Sequence, residues 1–159
     1  MEPWWHQSVE LLASGRKVEA IEVTHAAAEA GSLGAAVRLA RFGEDAGLSP
    51  EDADAIIEDA VRIVKDGDCT AHWNLYSASE LLLGSCDPEE KYWRVERHLQ
   101  QYAKASGDPR AALAVARRYL FGTPVLQADI STAVDWYYCA AALGSEEATA
   151  ELEAIVSDA

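Results

Sequence analysis

Apolar residues recur at intervals of three and four along this chain, and glycine, proline and capping residues interrupt the pattern at short distances. This spacing is typical of amphipathic α-helices, because about 3.6 residues complete one helical turn. The short apolar segment at residues 123–126 is interpreted as a loop, so no strand is predicted. The predicted helices cover residues 3–14, 17–30, 33–46, 51–66, 70–83, 88–106 and 145–156, with two more between Pro109 and Gly144.

The helix boundaries carry local signals. Ser49-Pro50 and Asp87-Pro88 each place a capping side chain before a proline, and acidic residues follow in the first turn. Both arrangements favour a helix start. Glycines 15, 47 and 84 are predicted to end helices. Since the connections are short, successive helices are expected to form antiparallel pairs.

The same pattern returns at a nearly fixed period. Glycines 31, 67, 107 and 144 are separated by 36, 40 and 37 residues. An alanine follows four residues after each glycine and an aliphatic residue eight after, which lets a paired helix approach closely. These pairs are Ala35/Leu39, Ala71/Leu75, Ala111/Val115 and Ala148/Leu152.

The clearest unit runs from Gly107 to Gly144 and includes Trp136-Tyr137 and Ala140-Ala141. It resembles the Sel1-like repeat (SLR) family, a relative of the tetratricopeptide repeats. The resemblance implies one all-α domain, a right-handed α-solenoid of about four antiparallel helix pairs that binds proteins and carries no catalytic groups. The expected units are residues 1–31, 32–67, 68–107 and 108–144, with a capping helix at 145–159.

Composition and charge narrow the class of partner. The 159 residues carry a net charge of −14, and residues 44–68 hold nine acidic against two basic side chains. Such a chain repels nucleic-acid phosphates. A basic protein partner is the functional interpretation, and ordinary solubility of an acidic protein is the alternative.

The apolar runs, the N-terminal residues and the cysteines together predict a cytoplasmic location. No apolar run approaches the ~20 residues of a membrane span, and the N-terminus has no basic region, so we expect neither membrane insertion nor a signal peptide. Cys69, Cys86 and Cys139 have unrelated spacings and are expected to be reduced thiols of a cytoplasmic protein, although a disulfide stays open.

The sequence contains few residues in the arrangements that catalytic or metal-binding sites need. The acids at 52, 54 and 58 lack the turn glycine of a calcium loop, and Cys69 with His72 has no second pair of metal ligands. The four histidines have no nucleophile in a recognised context, and no phosphate-binding glycine loop occurs. The sequence therefore predicts no enzyme, no cofactor and no metal site.

The resemblance to tetratricopeptide repeats implies that first helices line a concave face. Projection of the pattern places Ala111, Val115, Ala116 and Tyr119 inward. The positions projected onto the concave face are Gly34, Val37, Arg41, Glu44, Thr70, Trp73, Ser77, Glu80, Arg110, Leu113, Arg117 and Leu120. The predicted partner-binding residues are Trp73, Glu80, Arg41, Glu44, Arg110, Leu113 and Arg117, with Glu51, Asp52 and Asp54 from the acidic segment. Trp4-Trp5 is interpreted either as a cap on the first repeat or as an aromatic anchor.

Two functions follow from the resemblance and the charge. The first is a bacterial intracellular inhibitor of the immunity-protein type, which binds and neutralises a basic protein toxin. The alternative is an adaptor or regulatory scaffold in a signalling or envelope-associated complex. Both alternatives are binding functions. The sequence does not separate them, because repeat folds of this kind share a scaffold and differ mainly in their surfaces.

Overall fold

The structure is a computed structural model that describes residues 1–81 and 87–158. Within these residues it is all-α, and no strand occurs, as predicted. The helices are α1 (Pro3–Ala13), α2 (Lys17–Glu29), α3 (Leu33–Phe42), a 3₁₀ helix (Gly43–Ala46), α4 (Pro50–Ile63), α5 (Cys69–Glu80), α6 (Pro88–Ser106), α7 (Pro109–Phe121), α8 (Ile130–Ala142) and α9 (Glu146–Ser157). None of these helices is long and apolar enough to cross a membrane.

Capping side chains set most of the helix starts. The Ser49 hydroxyl accepts a hydrogen bond from the Asp52 backbone N–H, and Pro50 occupies the first turn of α4. Asp87 accepts one from the Glu90 N–H at 2.8 Å at the start of α6. These side chains satisfy backbone donors that have no partner within the helix.

Two predicted helix ends differ from the structure. The helix predicted over 33–46 ends at Phe42, because Gly43 has φ +56° and the chain continues as a 3₁₀ helix. The helix predicted over 51–66 ends at Ile63, since Val64 is extended. The predicted helix end at residues 83 and 84 lies outside the described residues, and so does Cys86. No disulfide joins Cys69 to Cys139.

The chain divides into two compact units, Met1–His98 and Leu99–Ala159. In the first unit, α3 packs against α2, α4 and α5. The core beside it consists of aliphatic and alanine side chains: Val37, Ala40, Ile57, Ala60, Leu75 and Ala78. Because α3 has three neighbouring helices, more than one side of it is buried.

Helices α3 and α5 approach each other closely at Gly34. A Cβ atom at this position would lie 2.8 Å from the Thr70 Cγ2 atom and 3.0 Å from the Ala71 backbone nitrogen. The first distance is shorter than real Cβ contacts, and the second is tighter than nearly all of them. Glycine is therefore needed here for close packing between the two helices.

In the second unit, α7 packs against α8, and α8 packs against α9. The Tyr137 ring is fully buried in this core, and Trp136 is partly buried against it. The core residues are Ala112, Leu113, Ala116, Ala133, Tyr137, Ala140, Ala148 and Leu152. The small residues of the repeat pattern thus fill the helix interfaces, and all four predicted alanine/aliphatic pairs of the chain are buried.

Candidate functional site

A cleft of about 610 Å³ lies in the first unit, where α3 ends, the chain turns through the 3₁₀ helix and α4 begins. Its floor is apolar and its edge carries charged side chains. The lining residues are Ala40, Arg41, Gly43, Glu44, Leu48, Pro50, Glu51, Ala53, Asp54 and Ile57. Four of the predicted partner-binding residues, Arg41, Glu44, Glu51 and Asp54, meet in this cleft.

The three acidic side chains make the edge of the cleft negative. Glu44 and Glu51 are exposed, whereas Asp54 is half-buried. No side chain in the described part of the chain forms an ion pair with Glu44 or Glu51. The cleft can therefore accept a cationic group, while Leu48 and Ala53 offer apolar surface to the aliphatic part of such a group.

Backbone geometry holds this cleft open. The 3₁₀ helix ends at Gly47, whose φ of +76° is left-handed and reverses the chain between α3 and α4. The cap at Ser49 then fixes the start of α4, so that Glu51 and Asp54 project from its first turns. Asp52 lies in the same turn, is exposed and does not line the cleft.

Arg41 is the basic residue that lines the cleft, and its guanidinium is partly buried. Its Nη1 donates to the Asn74 Oδ1 atom at 2.9 Å, and the Nε atom is buried without a hydrogen-bond partner among the described residues. Burial and, to a smaller extent, the nearby charge of Arg38 together lower the pKa of Arg41 to about 10. The charged guanidinium is thus only partly compensated inside the protein.

Trp73 and Glu80 lie on α5. The half-buried Trp73 ring packs against Tyr76, with the ring centroids 5.6 Å apart. The Ser77 hydroxyl donates to the Trp73 carbonyl at 3.0 Å, and Glu80 is exposed at the end of the helix. Neither Trp73 nor Glu80 lines the cleft.

The remaining predicted site residues lie on α7 in the second unit. Arg110 is highly exposed and pairs with Asp108 at 3.4 Å. Arg117 donates to Glu147 at 3.1 Å and also pairs with Glu151 on α9. These carboxylates raise the pKa of Arg117, so its charge is already compensated within the unit.

The predicted exposure of four concave positions is wrong. Leu113 is only 6% exposed and belongs to the core of the second unit. Gly34, Val37 and Thr70 are buried in the first unit. The projection assumed one buried stripe on each first helix. Helix α3 packs against three neighbours at once, and Leu113 of α7 joins the core formed with α8 and α9.

An arginine cluster beside the cleft was not predicted. The Arg38 Cζ atom lies over two aromatic rings, 5.0 Å from the Trp5 centroid and 5.2 Å from the Phe42 centroid. Trp4, by contrast, is buried and meets Trp5 edge to face. The available sequence signal was the pair Arg38 and Arg41, since residues three apart share one helix face.

His72 and His98 form a second buried contact that the sequence did not reveal. Their Nδ1 atoms are 3.1 Å apart, and His72 Nε2 lies 2.9 Å from the Lys65 carbonyl oxygen. Within residues 1–81 and 87–158, no three histidine, cysteine or acidic side chains are grouped so that they could hold a metal ion. The histidine pair therefore offers two ring nitrogens and no third ligand.

Comparison with known proteins identifies the fold. The chain matches no family profile and no curated protein. It is similar to the crystal structure of a Sel1 repeat protein from Oxalobacter formigenes, with a TM-score of 0.58, 21% sequence identity, and coverage of 90% of this chain and 58% of that one. The chain thus spans little more than half the length of that protein. The comparison confirms the predicted Sel1-like repeat fold.

Proposed function

We propose, from the premise that this chain has a Sel1-like repeat fold, that it is a protein-binding module whose acidic cleft receives a basic side chain of its partner. The cleft between the 3₁₀ helix and α4 carries this proposal. Lysine and arginine combine an aliphatic stem with a cationic head. The apolar floor and the acidic edge of the cleft match these two parts.

The charge of the chain supports a basic partner. A net charge of −14 attracts a cationic protein over distances of about one Debye length, roughly 8 Å at physiological salt. Complementary charge raises association rates and disfavours acidic competitors. The finer proposal is an immunity-type inhibitor that neutralises a basic protein toxin in the cytoplasm, acting by binding and not by catalysis.

The test uses two double variants of equal charge. Glu44→Gln with Glu51→Gln removes two charges from the cleft. Glu10→Gln with Glu22→Gln removes two exposed charges from α1 and α2 and serves as the control. The partner is captured from cells at low salt, and its association rate with each variant is measured over a series of salt concentrations.

We expect the cleft variant to associate several-fold more slowly than the control and to show a weaker dependence on salt. Equal rates for the two variants would contradict the role of the cleft. The inhibitor proposal further requires that the captured protein is toxic when produced alone and harmless when this chain is co-expressed. A captured protein without toxicity favours the adaptor or regulatory function instead.

A further inference from the structure

We infer that Arg38 and Arg41 form a binding site for a carboxylate group carried by a protein partner. The two guanidinium groups project from the same face of α3, one turn apart. Among the described residues, no acidic side chain forms an ion pair with either of them, although the chain holds 27 acidic residues against 13 basic ones. This inference rests on the proposed function only in taking the ligand to be part of a protein.

The surroundings of Arg38 select the shape of the ligand. The Arg38 Cζ atom lies over the rings of both Trp5 and Phe42, and cation–π attraction to them holds the guanidinium in place. The donors that remain for a ligand lie in the plane of the guanidinium. Planar carboxylates accept two parallel hydrogen bonds from such a donor edge.

Arg41 is held in place by a polar neighbour. Asn74 donates from Nδ2 to the Thr70 carbonyl at 2.9 Å, which fixes its Oδ1 atom toward the Arg41 Nη1 donor. Asn74 is neutral and fully buried, so it orients the guanidinium without compensating its charge.

The cost of burying the two arginine charges also favours an anionic ligand. Burial lowers the pKa of Arg38, and burial together with the charge of Arg38 lowers that of Arg41. The Nε atoms of both residues are buried, and neither has a hydrogen-bond partner within residues 1–81 and 87–158. Partly buried cations without a counter-ion are costly, and an incoming carboxylate would offset that cost for both.

The acidic cleft beside Arg41 favours a ligand segment in which the carboxylate is accompanied by a basic residue. Arg41 also lines the cleft that carries Glu44, Glu51 and Asp54. A multiply charged anion would be repelled by these acids, whereas a segment with one acidic and one basic residue places each charge beside its opposite. The proposed ligand is therefore an aspartate or glutamate side chain close to a lysine or arginine.

Nitrogen-15 NMR of the arginine Nε–H groups tests the inference on the unmodified chain, because buried Nε–H protons exchange slowly enough to be observed. The probes are a capped alanine–lysine peptide with one glutamate, the same peptide with glutamine in its place, sodium acetate and inorganic phosphate. We expect the glutamate peptide to shift the signals of Arg38 and Arg41 and the glutamine peptide to leave them unchanged.

Variants then locate the binding. Arg41→Gln should raise the dissociation constant of the glutamate peptide about tenfold or more, as expected for loss of a charge-assisted hydrogen bond. Arg62→Gln removes an exposed arginine of α4 and should have no effect. Chemical shifts of the backbone show that each variant remains folded.

Three results would overturn the inference: equal shifts from both peptides, tighter binding of phosphate than of the glutamate peptide, or an equally large shift from acetate at the same concentration, which would indicate an adventitious anion only. The outcome is separable from that of the cleft variants. Peptide binding at the arginines can be found where the cleft double variant shows normal association, and the reverse can also occur.

Discussion

The imidazole rings of His72 and His98 share one hydrogen bond in the interior of the first unit, with their Nδ1 atoms 3.1 Å apart. The Lys65 carbonyl can only accept, so His72 donates to it from Nε2. His72 Nδ1 is then the acceptor and His98 Nδ1 the donor. This arrangement requires a neutral His72 ring, and burial favours the neutral form of His98 as well. The buried Nε2 atom of His98 has no partner among the described residues.

This pair should make the protein sensitive to acid. Burial lowers the pKa of His98 to about 3, and burial also lowers that of His72. Histidines in the unfolded chain bind protons near pH 6.5, so the unfolded state takes up more protons below that value. We expect the free energy of unfolding to fall as the pH decreases below about 6.5, by up to about 1.4 kcal/mol per pH unit for each of these histidines.

Urea unfolding between pH 7.5 and 4.5 measures this effect. His98→Asn should reduce the dependence of stability on pH, whereas His6→Asn, at an exposed position, should keep the dependence of the natural sequence. Both variants retain all 27 acidic residues, so the comparison isolates the histidine. Identical slopes for the two variants would show that the pair is not protonated on unfolding in this range.

Leu75→Ala should cost on the order of 2 to 5 kcal/mol of stability, because the side chain is fully buried between α3 and α5 and its loss leaves a cavity. Leu81→Ala is the matched control, since Leu81 is 62% exposed. Thermal or urea unfolding checks the difference. A loss of stability as small as that of the control would mean that this interface is not closely packed.

Gly34→Ala should destabilise the first unit by about 1 to 3 kcal/mol, although alanine is the better helix former. The added methyl group would meet Thr70 Cγ2 and the backbone of α5. Gly67→Ala is the control, because nothing lies within 4 Å of a Cβ atom there. Thr70→Ser in the Gly34→Ala background removes the closest contact and should restore part of the stability, as measured by urea unfolding.

Trp73→Ala should weaken binding of the captured partner by about 2 kcal/mol or more, as truncation of a central aromatic residue does at other interfaces. Trp93→Ala provides the control, since Trp93 is 50% exposed on α6 and was not predicted to bind. Titration calorimetry measures both affinities. Equal affinities for the two variants would remove Trp73 from the proposed binding surface.

The sequence contained enough to predict the helices, because their signals are local. Caps such as Ser49 lie within a few residues of the turns they stabilise, and the alanine/aliphatic spacing of Ala71 and Leu75 marks a buried stripe directly. The exposure of first-helix positions was harder to predict. Val37 and Leu113 are buried by contacts beyond the one stripe that the projection assumed.

The side-chain clusters depend on contacts between distant helices. Arg38 meets Trp5 across 33 residues of sequence, and His72 meets His98 across 26. No periodic pattern records such pairs, since each member fits its own helix equally well without the other. The cleft itself was not predicted, but three of its acidic residues, Glu44, Glu51 and Asp54, were among the predicted partner-binding residues because they lie in one acidic segment of the sequence.

The close packing at Gly34 also has a consequence for local unfolding of the first unit. Because α3 and α5 pack too closely at Gly34 to accommodate a methyl group and Ala35 and Leu75 are fully buried, we expect amide hydrogens around these two residues to exchange among the slowest in the first unit. Arg41 and Asn74 are anchored on these same two helices. A ligand arriving at this face would therefore meet donors already fixed in position, and little conformational entropy would be lost on binding.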